Sequence, residues 1–269
     1  MRGFGSEVRE RTIEGHTGRY LQLGQGPPVL LVASQLVRIQ PYRPLFLRLA
    51  EHFEITVLEL PGSGGASKLR RGWSCRQYAQ WLAQFLEQEE IRRPILIAHS
   101  TSCGAAIELA AENPHLLSGL ILTGSIGIPR NILAIILGRL LDAFIEWRLS
   151  LTRWFDIIHT LLFHMRNFFH QIGVAAGDDL RESAARVTVP TLLAHGRLDH
   201  TVPLSSAFAL HQIIPSARLY ISPTGSHDWL ITNPDEFAAM TQSFAAKIES
   251  KPIESRPPTP SPLHSPIPR

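Results

Sequence analysis

The sequence predicts an α/β fold, a mostly parallel sheet with helices on both faces. Two observations carry this. Short apolar runs alternate with helical patterns along most of the 269 residues. The central runs, "PVLLVAS", "PILIAHS" and "LSGLILTGS", are also nearly continuous in apolar residues, without a polar residue at every second position. A strand apolar on both sides is covered on both sides, as when crossover helices lie above and below a parallel sheet. A chain of this length suits one large core.

The elements follow in order. "RYLQL" and "PVLLVAS" read as early strands parted by the turn "GQGPP". "PLFLRLAEHF" has helical spacing, and "EITVLEL" is the next strand, ending in the turn signal "PGSGGAS". "SCRQYAQWLAQFLEQEE" is an amphipathic helix with Tyr78, Trp81, Leu82, Phe85 and Leu86 on one face. Strand "PILIAHS", helix "SCGAAIELAAENP" and strand "LSGLILTGS" come next. The alternation breaks between about residues 126 and 182, where the chain is helical and apolar on nearly all sides. It resumes with strand "VPTLLAHG", a helix near "LSSAFALHQI", strand "ARLYIS" and helix "NPDEFAAMTQSFAAKIES". Residues 1–125 and 183–250 are therefore expected to form one core domain, with 126–182 inserted as a helical cap. Residues 251–269 are rich in Pro and Ser and are expected to form a disordered or polyproline-like tail.

Composition narrows the class. Hydrophobic residues make up 44% and charged residues 18%, as in globular proteins, and the formal charge is +3 without a Lys/Arg block, so no nucleic-acid partner is expected. The two cysteines, Cys75 and Cys103, lie far apart and show neither a disulfide framework nor a zinc spacing. The charged start "MRGFGSEVRERTIEG" lacks the apolar segment of a signal peptide. No uncharged apolar stretch reaches 18 residues. A cytoplasmic location is the expectation.

Ser100 sits at the seam between a buried strand and a helix. A sharp turn there exposes the hydroxyl at the carboxyl edge of the sheet, and the following helix offers free N–H groups to a developing oxyanion. Crowding at such a turn calls for small residues two places away on either side, here Ala98 and Ser102. Alone, a serine in this place is more often a helix N-cap than a nucleophile. A serine nucleophile needs a general base, and the base needs an orienting acid. The loop after "TLLAHG" offers Asp199 and the loop after "ARLYIS" offers His227, in the order Ser, Asp, His that this architecture uses.

At this point the sequence resembles the α/β-hydrolase superfamily, over about residues 18 to 249. The matching stretches are "PVLLVAS", "LELPGSGGAS", "LIAHSTSCGAAIELAAENP", "GLILTGS", "PTLLAHGRLDHTVP" and "GSHDWLITNPDEF". The resemblance implies an α/β-hydrolase fold with an eight-stranded sheet and a cap over the site. It makes Ser100 the nucleophile, Asp199 the acid and His227 the base. It implies backbone N–H groups of Thr101 and Gln35 as oxyanion donors. From the residues themselves no cofactor and no metal are expected. The chain departs from the family at Ala33-Ser34, where His-Gly is usual, and at Ala98 and Ser102, where Gly is usual. Losing Gly is expected to restrict the loop before Gln35. Glu59 stands where Asp is common before "PGSG" and reads as structural.

Other features read as packing. Cys103 lies one turn past the corner and is expected to be buried filler. His159, His164 and His170 do not share a helical face, which argues against a metal cluster. His99 and His195 flank strand ends and read as hydrogen-bonding residues. Most of the cap's apolar side chains, from Ile132 to Ile145 and from Trp147 to Phe169, are expected to pack inward. The rest line a pocket or form an exposed patch for a membrane or a partner. The functional expectation is a serine hydrolase acting on a small-to-medium apolar acyl substrate, foremost a carboxylic ester. The alternatives are a hydrolase of another bond (thioester, lactone, amide or carbon–carbon) and a hydrolase-like scaffold that binds without turnover.

Overall fold

The computed structural model describes residues 7–146 and 151–250. The sheet order is β1 (Arg9–Ile13), β2 (His16–Leu23), β4 (Glu54–Glu59), β3 (Pro28–Val32), β5 (Ile95–His99), β6 (Gly119–Thr123), β7 (Thr191–Gly196) and β8 (Ala217–Ser222). The strands from β4 to β8 in this order pair in parallel, while β2 is antiparallel to both of its neighbours. The fold is thus the expected eight-stranded, mostly parallel one, with an antiparallel hairpin at one edge.

The edge strand β1 is an element the sequence pattern did not disclose. Its residues "RERTI" are polar and largely exposed, so no hydrophobic period marks them. It forms because Glu14 and Gly15 both take positive φ, at 49° and 78°, closing a tight hairpin with β2. Charged side chains on such an edge also discourage pairing with another chain.

The continuous apolar strands have the expected cause. In β3, Leu30 and Val32 join one core cluster while Val29 and Leu31 join the other. The first cluster is covered by α2 (Cys75–Gln88) and α3 (Ser102–Glu112), and the second by α1 (Arg43–Leu49), α8 (Trp229–Thr232) and α9 (Pro234–Glu249). Helix α2 starts at a capping box, with the Ser74 side chain accepting from Gln77 N–H and Gln77 reaching back. Its apolar face carries Phe85, which is fully buried, stacks on Trp81 and meets Tyr20 edge-on. Phe85→Ala is expected to lower unfolding free energy by about 3–5 kcal/mol through lost burial plus a cavity. Urea denaturation of the variant measures it.

Between β6 and β7 the chain forms α4 (Ile132–Glu146), α5 (Leu151–Gly177) and α6 (Arg181–Ala185); α7 (Leu204–Ile213) follows β7. Helix α4 overturns the expectation that its apolar residues pack inward. Ile135 is buried, but Ile132, Leu133, Ile136, Leu140, Leu141 and Phe144 are exposed. The reason is that the polar residues hold the helix by the opposite face. Asp142 is fully buried and accepts hydrogen bonds from His200 N–H, Thr201 N–H and the Thr201 hydroxyl, at 3.2, 2.8 and 2.6 Å. Arg139 pairs with Asp228 at 2.9 Å. The second half of α5 is tied down by Asn167 Nδ2, which donates to Gly62 O at 2.8 Å, and by His170, 3.0 Å from Trp73 O. The side chains of His159, His164, Trp147, Trp154, Phe155 and Phe163, and the tail 251–269, lie outside the described residues.

Candidate active site

Ser100 opens the two-residue corner, Ser100-Thr101, between β5 and the start of α3, with φ at 57°. A left-handed conformation costs a non-glycine residue about 1–2 kcal/mol. It is held by Ser100 N–H donating to Thr123 O at 2.9 Å and by Cys103 N–H donating to Ser100 O at 3.1 Å. The Cβ atoms expected to crowd this turn are accommodated, and one is used. Ser102 Oγ donates to Ala33 O, tying the corner to the loop after β3.

The structure brings the three residues expected to work together into one hydrogen-bonded line. His227 Nε2 is 3.0 Å from Ser100 Oγ, and His227 Nδ1 is 2.8 Å from Asp199 Oδ2. Asp199 Oδ1 also accepts from Val202 N–H at 2.6 Å. Two glycines make room. At Gly196 a Cβ would sit 2.4 Å from Gly225 O, so the loops bearing Asp199 and His227 close on each other because residue 196 has no side chain. Their contact is sealed by Arg197 N–H to Ser222 O and Leu198 N–H to Gly225 O. At Gly124, which has φ of 56°, a Cβ would lie 2.9 Å from His227 Cε1.

All three side chains are buried, and burial alone would favour neutral forms. For His227 burial pulls the pKa down, but the charge and hydrogen bond of Asp199 outweigh it and hold the imidazole above its ordinary value. For Asp199 burial pushes up, and the neighbouring His227 ring reverses this, so the carboxyl stays below its ordinary value. His227 is therefore a strengthened base oriented by an ionised acid.

The sequence reading of His99 understated its place. Ser34 N–H donates to Tyr42 OH at 3.0 Å, and Tyr42 OH lies 2.7 Å from His99 Nδ1. His99 Nε2 lies 3.3 Å from His227 O, which as a carbonyl must accept. A neutral His99 with its proton on Nε2 satisfies this chain, and burial pushes its pKa down to about 3. His99 thus links the loop after β3 to the backbone of His227. A histidine closing an apolar strand is the sequence signal for such a role. His99, His227 and Asp228 lie close enough together to share a cation. However, their ring nitrogens and Asp228 Oδ2 already engage Tyr42, the His227 carbonyl, Asp199, Ser100 and Arg139.

The loop expected to supply an oxyanion donor is ordered by side chains. Residues 33–35 do not take positive φ, so the missing glycine causes no strain there. Gln35 N–H donates to Thr101 Oγ1 at 3.1 Å, and Ser34 Oγ lies 3.3 Å from the same oxygen. Thr101 N–H stands at the start of α3, where backbone donors lack intrahelical acceptors. Buried Glu59 fastens the loop by accepting from Ile39 N–H at 2.9 Å and Gly65 N–H at 2.8 Å, in keeping with a structural role. Cys103 is buried, its thiol donates to Ala98 O, and burial pushes its pKa up to about 12, which makes it unreactive. His195 bonds Val202 O at 2.8 Å.

Ser100 and His227 lie on the wall of a cavity of about 320 Å³. Its other walls are mainly apolar and include Leu36, Val37, Ile126, Ile135, Leu140 and Phe168, the last four from the expected cap.

The sequence of residues 37–240 matches the model of the alpha/beta hydrolase family. The chain belongs to this family. Among similar proteins is a pimeloyl-[acyl-carrier protein] methyl ester esterase of Vibrio vulnificus, 26% identical over 250 residues that cover 83% of this chain and 96% of that one. An uncharacterised protein of Mycobacterium tuberculosis is 27% identical over 122 residues, 45% of this chain and 36% of that protein, so the match spans about a third of that relative's length. The crystal structure of a membrane phospholipase A superimposes with a TM-score of 0.80 at 19% identity, covering 92% of this chain and 88% of that one, a likeness of fold. Among the described residues, no helix is long and apolar enough to cross a membrane.

Proposed function

We propose that this alpha/beta hydrolase family member is a serine hydrolase that cleaves carboxylic esters of small-to-medium apolar acyl groups. The observation that carries this reading is the line from Ser100 through His227 to Asp199 at the wall of an apolar cavity. Ser100 Oγ attacks the ester carbonyl while His227 Nε2 takes its proton. Thr101 N–H holds the resulting oxyanion. Gln35 N–H joins it once the Thr101 hydroxyl turns aside, since the two are bonded in the resting site. As the carbonyl re-forms, the C–O bond to the leaving alcohol breaks and His227 gives that alcohol its proton. Water, deprotonated by His227, then cleaves the acyl-enzyme, releasing the carboxylic acid and Ser100. Asp199 holds the imidazole tautomer and stabilises its charged form throughout.

The similarity to an enzyme named for methyl ester hydrolysis supports an ester as substrate. The engaged Gln35 N–H favours the second reading, a scaffold that binds without turnover. A p-nitrophenyl ester series of increasing chain length, run on the native chain and Ser100→Ala, separates the two. The native chain turns over short-to-medium acyl esters and the variant does not. Equal rates for both proteins contradict the proposal.

A further inference from the structure

Helix α4 is amphipathic the wrong way round for a cytosolic surface. Its two described charged side chains face the protein, Arg139 to Asp228 and Asp142 to the 200–201 loop. Its large apolar side chains face out. Leu133 is 60% exposed, Leu137 56% and Phe144 72%. On α5, Leu162 at 70% and Met165 at 54% extend the same character. The helix cannot roll to hide this face without unmaking the hydrogen bonds of buried Asp142, and stranding a buried carboxylate is costly. Exposed apolar surface on this scale marks an interaction site.

We propose that the α4–α5 face docks on the surface of an anionic lipid bilayer. Two observations select this occupant. The first is continuity with the cavity: Ile136, Leu140 and Phe169 are exposed and also line the cavity that holds Ser100. An apolar substrate leaving the bilayer at this face meets one unbroken apolar surface down to the serine; this clause, unlike the docking itself, rests on the esterase reading. The second is charge. Among the described side chains of the two helices, the one carboxylate, Asp142, is buried, while Arg166 is exposed, so the charge shown outward is positive. An apolar stripe beside basic residues suits an interface between acyl chains and anionic headgroups.

Flotation of the full chain with phosphatidylcholine vesicles, with and without added phosphatidylglycerol, tests this. The protein floats with the vesicles, more strongly when they are anionic. Leu133→Glu and Leu137→Glu, neither of which lines the cavity, each weaken partitioning by about tenfold. Leu47→Glu on α1 and Ser100→Ala leave it unchanged, so loss of esterase activity and loss of docking are read separately. Unaltered melting temperatures show that the variants fold. Protein that stays with the unbound fraction overturns the proposal, as does flotation unaffected by the two α4 substitutions or equal flotation with neutral vesicles. A concentration-dependent dimer that Leu137→Glu dissociates, without vesicle binding, assigns the face to a second copy and also overturns it.

Discussion

His227→Ala is expected to lower kcat on a short p-nitrophenyl ester by about 10⁶-fold, the loss typical when a base acting as a unit with its serine is removed. His227 Nε2 is the nitrogen placed 3.0 Å from Ser100 Oγ, and among the described residues no other ring nitrogen hydrogen-bonds that hydroxyl. The neighbouring His99 cannot substitute. Both its nitrogens are committed, and burial holds it neutral by pushing its pKa down to about 3. The loss should fall on kcat, because the apolar side chains that line the rest of the cavity are unchanged. A fall confined to KM would contradict the assignment.

Asp199→Asn is expected to lower kcat by about 10⁴-fold with little change in fold, because an amide facing His227 Nδ1 favours the wrong tautomer. The pH profile supplies a second readout. Above its pKa His227 is neutral and accepts the Ser100 proton; below it the ring is already charged. Since Asp199 holds the ring above the ordinary 6.5, the acid limb of kcat/KM in the native chain lies above pH 6.5. In the variant the charge of Asp199, the largest influence opposing burial, is gone, so the limb moves down. The same raised pKa makes the charged pair a source of stability that is complete below about pH 6.5 and is lost as pH rises through the folded-state value. Initial rates across pH for both proteins check the shift and its sign.

How much of this was legible in the sequence depended on whether a local signal existed. Ser100, Asp199 and His227 each follow an apolar strand, and strand ends on one edge of a parallel sheet converge, so chain order and strand count were enough to pair them. The edge strand β1 carries polar side chains on both faces and thus no period. Helix α4 misled for a related reason. Apolar residues were assigned inward by type, whereas its orientation is set by Asp142, whose partners at 200 and 201 lie in a distant loop. The Tyr42–His99 link likewise joins residues 57 apart, and nothing in the spacing announces it. The loop at Ala33-Ser34 departs from the family pattern, yet its backbone stays ordinary because Ser102, Thr101 and Tyr42 hold it through side-chain bonds.

The measurement that bears most directly on the central claim is intact and peptide mass spectrometry after reaction with a fluorophosphonate, which phosphonylates an activated serine as fluoride departs. One adduct on the peptide bearing Ser100, formed faster above the His227 titration than below it and absent in His227→Ala, is the result expected here. An unlabelled chain, or an adduct on another residue, would contradict it.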